Sequence, residues 1–157
     1  LWTHKEPTFH LHGQGMAADV LADHAGMEVL AGERDFKKRW LYSASGELIE
    51  FKEDLPLSPR PLWWDGDPQK EVIFERAIQD WNGSAVQPIE GRVVAVMDCI
   101  GDHREEVVTC VSGELRVHST TIPAADRRPC LLQNHLYRMG VAAQTVGYYY
   151  PAQLGLE

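Results

Sequence analysis

Three runs in the second half of the chain decide its reading: RVVAVMDCI (Arg92–Ile100), EEVVTCVS (Glu105–Ser112) and LRVHSTTI (Leu115–Ile122). Each is short and rich in β-branched residues, as strands are. Gly101-Asp102-His103-Arg104 and Gly113-Glu114 separate them, with the residue types that form turns. Two more strands are expected at Pro129–Arg138 and Ala142–Tyr150, with a turn at Gly140. The stretch from Arg92 to Tyr150 thus reads as an antiparallel meander.

Working outward, the first ninety residues supply two helices and a hairpin. Met16–Ala25 puts Ala17, Val20, Leu21 and His24 on one stripe, and Gly26 is placed to end a helix. Asp67 before Pro68, with Glu71 in the first turn, opens a second helix. Its apolar face holds Ile73, Phe74, Ala77, Ile78 and Trp81, and Asn82-Gly83 ends it. Between them Phe36–Tyr42 and Glu47–Lys52 flank Ser43-Ala44-Ser45-Gly46, a hairpin signal. No internal repeat is read. The expected fold is α+β, a single domain over residues 1–157. It is a curved, mostly antiparallel sheet with two helices packed on one face, in the manner of a half-open barrel or cone.

Composition excludes several functions. A formal net charge of −8 argues against nucleic acid, which needs a concentrated basic surface. No apolar run reaches the length of a membrane span and no signal-peptide pattern is present. Cys99, Cys110 and Cys130 lack metal or redox spacing and read as free thiols in a reducing compartment, so a cytoplasmic protein is expected. His10 and His12 offer two imidazoles without a third ligand nearby, so no metal and no cofactor is assigned. No phosphate loop and no Gly-x-Ser-x-Gly elbow occurs.

Strand register narrows the candidate site. Pairing Ile100 with Glu105 sets Asp98 against Val107 and Val96 against Thr109; a Gly113-Glu114 turn sets Thr109 against His118. One sheet face, with Val93, Ala95, Met97, Val108, Cys110, Leu115 and Val117, is apolar and expected beneath the helices. The other carries Val96, Asp98, Thr109, Arg116 and His118, apolar walls with a few polar groups, the composition of a ligand cavity or an interface. Asp98 and His118 come out roughly 12 Å apart, which excludes a preassembled dyad.

The favoured reading of these residues is a non-catalytic domain that engages a small apolar molecule or a protein partner through the mixed face. The alternative is a small-pocket enzyme of isomerase, hydratase or hydrolase type. There Asp98 or His118 moves a proton, and Arg116 or Thr109 orients the substrate. Tyr148-Tyr149-Tyr150, on a strand without charge to guard an open edge, further suggests a homodimer.

Overall fold

The computed structural model describes residues 1–6, 15–33, 37–53, 59–124, 126–146 and 151–154. Among them run eleven strands in three antiparallel sheets and one α-helix. The first sheet holds β1 (Met16–Ala18), β2 (Glu28–Glu33), β3 (Lys38–Tyr42) and β4 (Leu48–Lys52), side by side in chain order. The second holds β5 (Arg60–Leu62), β6 (Glu71–Phe74), β7 (Ala77–Gln79) and β8 (Ala85–Pro88) in the same order. The third holds β9 (Arg92–Met97), β10 (Glu106–Val111) and β11 (Glu114–His118). Helix α1 (His135–Ala143) follows.

The α+β expectation of one sheet under two helices is therefore wrong, and the reasons are local. Met16–Ala25 has helix-forming composition, but Met16 and Ala18 bury one side of β1 against β2, pairing with Leu30 and Glu28. Tertiary burial overrides a weak propensity. In the second expected helix, Asp67 does not cap; its carboxylate accepts the amide of Gln69, two residues on, in a local turn. The chain then reverses at Glu75-Arg76, where Glu75 has φ +50°. Ile73 and Ile78, which share a helical stripe on paper, stand opposite each other across that hairpin.

The true helix falls where strands were expected, across Pro129–Arg138 and the start of Ala142–Tyr150. Asn134 caps it by accepting the amide of Tyr137. Gly140, read as a turn, lies inside it. A Cβ there would come within 2.8 Å of the Pro151 backbone, so glycine admits a close chain crossing. Tyr148, Tyr149 and Tyr150, like His10 and His12, lie outside the described residues.

The third sheet does hold strands where the sequence pattern puts them, with its register slipped. Val107 pairs with Val96 and with His118, and Thr109 pairs with Arg116. The turn is thus Ser112-Gly113, one residue earlier than expected, and β9 carries a bulge opposite the Val108/Thr109 step. Up to the bulge the slip of two preserves which residues share a face; beyond it Val93 pairs with Thr109 and joins the face of Val96 and Val107 instead of that of Val108. Burial is the reverse of the expectation: Val96, Asp98, Val107 and Thr109 are buried, whereas Leu115 and Val117 are exposed.

The sheets stack face on face, and two apolar clusters fill the gaps. Met16, Ala18, Leu30 and Leu41 of the first sheet meet Val72 and Trp81 of the second. Leu62, Ile73 and Ile78 of the second meet Val96 and Val107 of the third. Consecutive residues Val72 and Ile73 face opposite clusters, so the middle sheet is buried on both sides.

This stack is an internal repeat, contrary to the sequence reading. In each sheet the last residue of the first strand pairs with a glutamate that opens the second: Ala18 with Glu28, Leu62 with Glu71, Met97 with Glu106. Its signature is Gly66-Asp67 then Glu71-Val72-Ile73, and Gly101-Asp102 then Glu106-Val107-Val108, with Glu28-Val29-Leu30 as a fainter copy.

Candidate functional site at the loop end of the sheets

Those three glutamates do the same work. A loop leaving a strand carries backbone N–H groups that need acceptors. Glu28 accepts the amides of Val20 and Leu21, Glu71 those of Trp64 and Asp65, and Glu106 those of Cys99 and Ile100. A buried carboxylate taking two amides is a charge-assisted clamp. Burial pushes Glu28 above the usual carboxylate range. It carries Glu71, helped by the charge of Asp65, up to about 7.

The clamped loops also join each other. The residue before the second and third of these glutamates donates its amide to the carbonyl that heads the preceding sheet's loop: Lys70 to Asp19 at 2.8 Å, and Glu105 to Trp63 at 2.8 Å. Glu105 returns the contact, its Oε2 accepting the amide of Trp63 at 2.9 Å. Its Oε1 accepts the hydroxyl of Tyr137 at 2.7 Å, and that hydroxyl oxygen accepts the amide of Asp98 at 3.0 Å. Tyr137 thus supplies for Asp98 what Glu105 supplies for Trp63.

Lys70 sits beside this network, its ammonium 4.6 Å from the centre of the Trp63 ring and donating to Gln153 Oε1 at 2.7 Å. Arg128 approaches the same ring at 5.0 Å. Burial lowers Lys70 to about 8 against the opposing pull of Glu105 and Asp19. Burial likewise raises Glu105 and the Tyr137 phenol.

The sequence reading assigned no metal; the structure offers one trio of carboxylates among its described residues. Ligand oxygens of Asp65, Asp67 and Glu71 lie within 4.8 Å of one another, a donor set suited to a hard divalent cation. Asp65 also accepts the amide of Asp67, and Glu71 accepts the amides of Trp64 and Asp65. The equivalent Asp102 of the third sheet instead meets Arg104.

The residues expected to bind a ligand do not converge. Both oxygens of Asp98 are committed to backbone amides of Gly101, His103 and Leu131. The carboxamide of Gln144 takes the amide of Val96 and donates to its carbonyl, as a neighbouring strand would. Thr109 and His118 contact each other at 3.0 Å. Arg116, the cross-strand partner of Thr109, is bridged to Glu90 and Glu114. None of the five lines the cleft of about 330 Å³ beside Asp102, His103, Arg104 and Arg128. Nor does any of them line the cleft of about 480 Å³ beside Glu50, Phe74, Arg76 and Trp81. Sequence reasoning missed Glu28, Glu71, Glu106, Lys70, Glu105 and Tyr137, and the Glu-Val-aliphatic recurrence was the signal for the first three.

Fold and site together define a class: an all-β protein of stacked antiparallel sheets, each clamped by a glutamate at one end. The model of the C-terminal domain of rhamnogalacturonan lyase family 11 matches residues 1–156, and the chain belongs to that family. It is 34% identical over 156 aligned residues to the rhamnogalacturonan endolyase YesW of Bacillus subtilis (strain 168), covering 88% of this chain and 24% of that protein. The YesW crystal structure superposes on 91% of this chain and 26% of its own, with a TM-score of 0.73 at 31% identity. The Bacillus licheniformis rhamnogalacturonan lyase PL11 gives 0.73 at 33% identity, over 91% and 26%. The exolyase YesX of Bacillus subtilis (strain 168) is 28% identical over 171 aligned residues, covering 88% of this chain and 27% of that protein.

The chain therefore spans about a quarter of the length of the curated relatives it matches. Membership of a lyase family replaces both sequence-based functions, the small-molecule or partner binder and the small-pocket enzyme. The expected cytoplasmic homodimer gains no support from these relatives. Among the described residues, no helix is long and apolar enough to cross a membrane.

Proposed function

We propose that this chain is the C-terminal part of a rhamnogalacturonan lyase and serves as part of the enzyme's rigid frame. The observation that carries the reading is the family match across residues 1–156, supported by 34% identity to an endolyase. A lyase acting on a uronide polymer breaks a glycosidic C–O bond without water. A base takes the proton α to the carboxyl group, the electron pair forms a C=C bond, and the sugar oxygen leaves. Cations that hold the carboxylate favour the step by stabilising the developing charge.

The frame assignment follows from burial. Lys70, lowered by burial, and Glu71 and Glu105, raised by it, are 3%, 2% and 1% exposed. A polymer cannot reach them, and their hydrogen bonds tie loop to loop. Their placement fits holding sheets in register, on which catalytic loops elsewhere in a longer protein depend.

The test uses the full-length protein that carries this chain, incubated with rhamnogalacturonan and, separately, with unbranched polygalacturonate. Ultraviolet absorbance of the unsaturated uronide should rise on the first polymer only. New reducing ends without that absorbance would mean hydrolysis and overturn the reading. Product length then separates endo from exo cleavage, the two modes named for the relatives.

A further inference from the structure

The second and third sheets repeat one loop and load it with opposite charge. Counted back from the clamping glutamate, Gly66-Asp67-Pro68-Gln69-Lys70 corresponds to Gly101-Asp102-His103-Arg104-Glu105. Beside the second clamp stand the carboxylates of Asp65 and Asp67. In the third loop His103 and Arg104 replace Pro68 and Gln69. Arg127 and Arg128, from the segment beyond β11, join them around the cleft of about 330 Å³. Three guanidiniums thus meet in a chain whose formal net charge is −8.

These groups differ in how far they are already engaged. Arg104 is committed, with Nε and Nη2 donating to Asp102 and Nη1 to the carbonyl of Ile122. Arg128 gives Nη2 to Asp126 at 2.9 Å, which leaves Nε and Nη1 without an acceptor among the described residues. Arg127 is exposed and has no ion pair among them. His103 is 6% exposed, yet its ring makes no hydrogen bond among the described residues; only its backbone amide does, to Asp98. Buried polar side chains nearly always find a partner, so an imidazole left open beside a cleft calls for a ligand. The chain also holds His103 at φ +71°, where few residues other than glycine go and where the proline at its counterpart cannot. Burial and the nearby charge of Arg128 keep the ring below the ordinary histidine range. Near neutral pH it is uncharged, with one N–H to give and one lone pair to accept.

We propose that this cleft is a subsite for one uronate residue of the polymer, held by its carboxylate; the identity of the sugar rests on the lyase reading above. Arg127 and the open nitrogens of Arg128 take the carboxylate, whose two oxygens match the forked N–H groups of a guanidinium. His103 offers a donor and an acceptor together, which is what a sugar hydroxyl uses. A bare inorganic anion would engage the arginines alone, and a neutral sugar the imidazole alone. A uronate engages both. The cleft volume lies at the lower end of small-molecule sites, about 300–1,000 Å³, and suits a single residue of a longer chain. Arg128 lies over the same Trp63 ring as Lys70, so the cleft adjoins the loop-end network.

The experiment follows Arg127 in the full-length protein by a readout that needs no turnover. Phenylglyoxal modification of each arginine is measured by mass spectrometry, with and without trigalacturonate. Arg76, exposed in the turn between β6 and β7, is the reference. At about ten times the half-protecting concentration, modification of Arg127 should slow about tenfold by mass action, with Arg76 unchanged. Methyl-esterified trigalacturonate, which keeps the hydroxyls and loses the charge, should not protect, nor should inorganic phosphate at the same concentration. His103→Gly accepts the positive φ and should raise the half-protecting concentration about tenfold, as the loss of a hydrogen bond to the ligand does. If that variant does not fold, Arg128→Lys keeps the charge but not the fork and should raise it likewise. No protection at Arg127, equal protection at Arg76, or equal protection by the ester or by phosphate would each overturn the proposal. Protection at Arg127 in a protein that forms no unsaturated uronide would keep the subsite and remove the lyase reading. Unsaturated uronide without protection would do the reverse.

Discussion

The second and third sheets are built on one plan and differ in what covers them. In the second, Val72 and Ile73 send successive side chains into two different apolar clusters, so every strand position matters. In the third, Val107 is enclosed while Val117, across from Val108, meets solvent. The same β-branched strand is thus core or surface according to its neighbours and not its own composition. The lesson is that alternation in a sequence identifies the two faces of a strand but not which of them is inside.

The contrast can be broken at its strongest point first. Ile78→Ala should cost about 2–5 kcal/mol in denaturant unfolding, the range for truncating a buried aliphatic. Val117→Ala should cost about 0.5 kcal/mol or less wherever solvent reaches it. Comparable losses at the two positions would end the comparison.

A second test removes the carboxamide that seals the third sheet. Gln144→Ala leaves the amide and carbonyl of Val96 without partners, at about 1–3 kcal/mol. Faster hydrogen exchange at the Val96 amide is the specific sign; unchanged exchange would show that water or another group replaces Gln144.

The third test titrates the second sheet's clamp. Glu71 is raised from 4.5 to about 7, so the folded protein holds a proton there that the unfolded chain releases. Stability from this group is fully present below about 4.5 and falls as pH rises to about 7, by up to about 3 kcal/mol. Glu71→Gln keeps an acceptor for Trp64 and Asp65 but cannot ionise, and should flatten that slope. Lys70, lowered from 10.5 to about 8, acts in the opposite sense, with stability rising as pH goes from about 8 to 10.5. The smallest effect belongs to the exposed end: Arg116→Ala should change stability by no more than about 0.5 kcal/mol, although it breaks two ion pairs.

What could be read in the sequence was whatever local chemistry decides. The Ser43–Gly46 turn and its flanking strands stand as expected, with Gly46 at φ +92° donating to the Ser43 carbonyl. The strands around Val96, Val107 and Val117 were also legible, because β-branched runs between turn residues have few other uses. The two false helices arose where apolar spacing fitted both periods, as with Ile73 and Ile78, and burial by another sheet chose between them. The helix at His135–Ala143 was hidden among residues read as strand, although Asn134 ahead of Tyr137 was an available cap signal. The loop-end network was not legible at all. Glu105 and Trp63 are forty-two residues apart in sequence and meet only because two sheets stack.

That meeting has a consequence for how the chain is made. The carbonyl of Asp19 waits for the amide of Lys70, and both backbone groups of Trp63 wait for Glu105. As the polypeptide leaves the ribosome, each sheet emerges with polar backbone open at one end and is closed by its successor. The loop end of each of the first two sheets therefore reaches its final hydrogen bonds only after the next sheet has been made, and that of the third only after the helix bearing Tyr137.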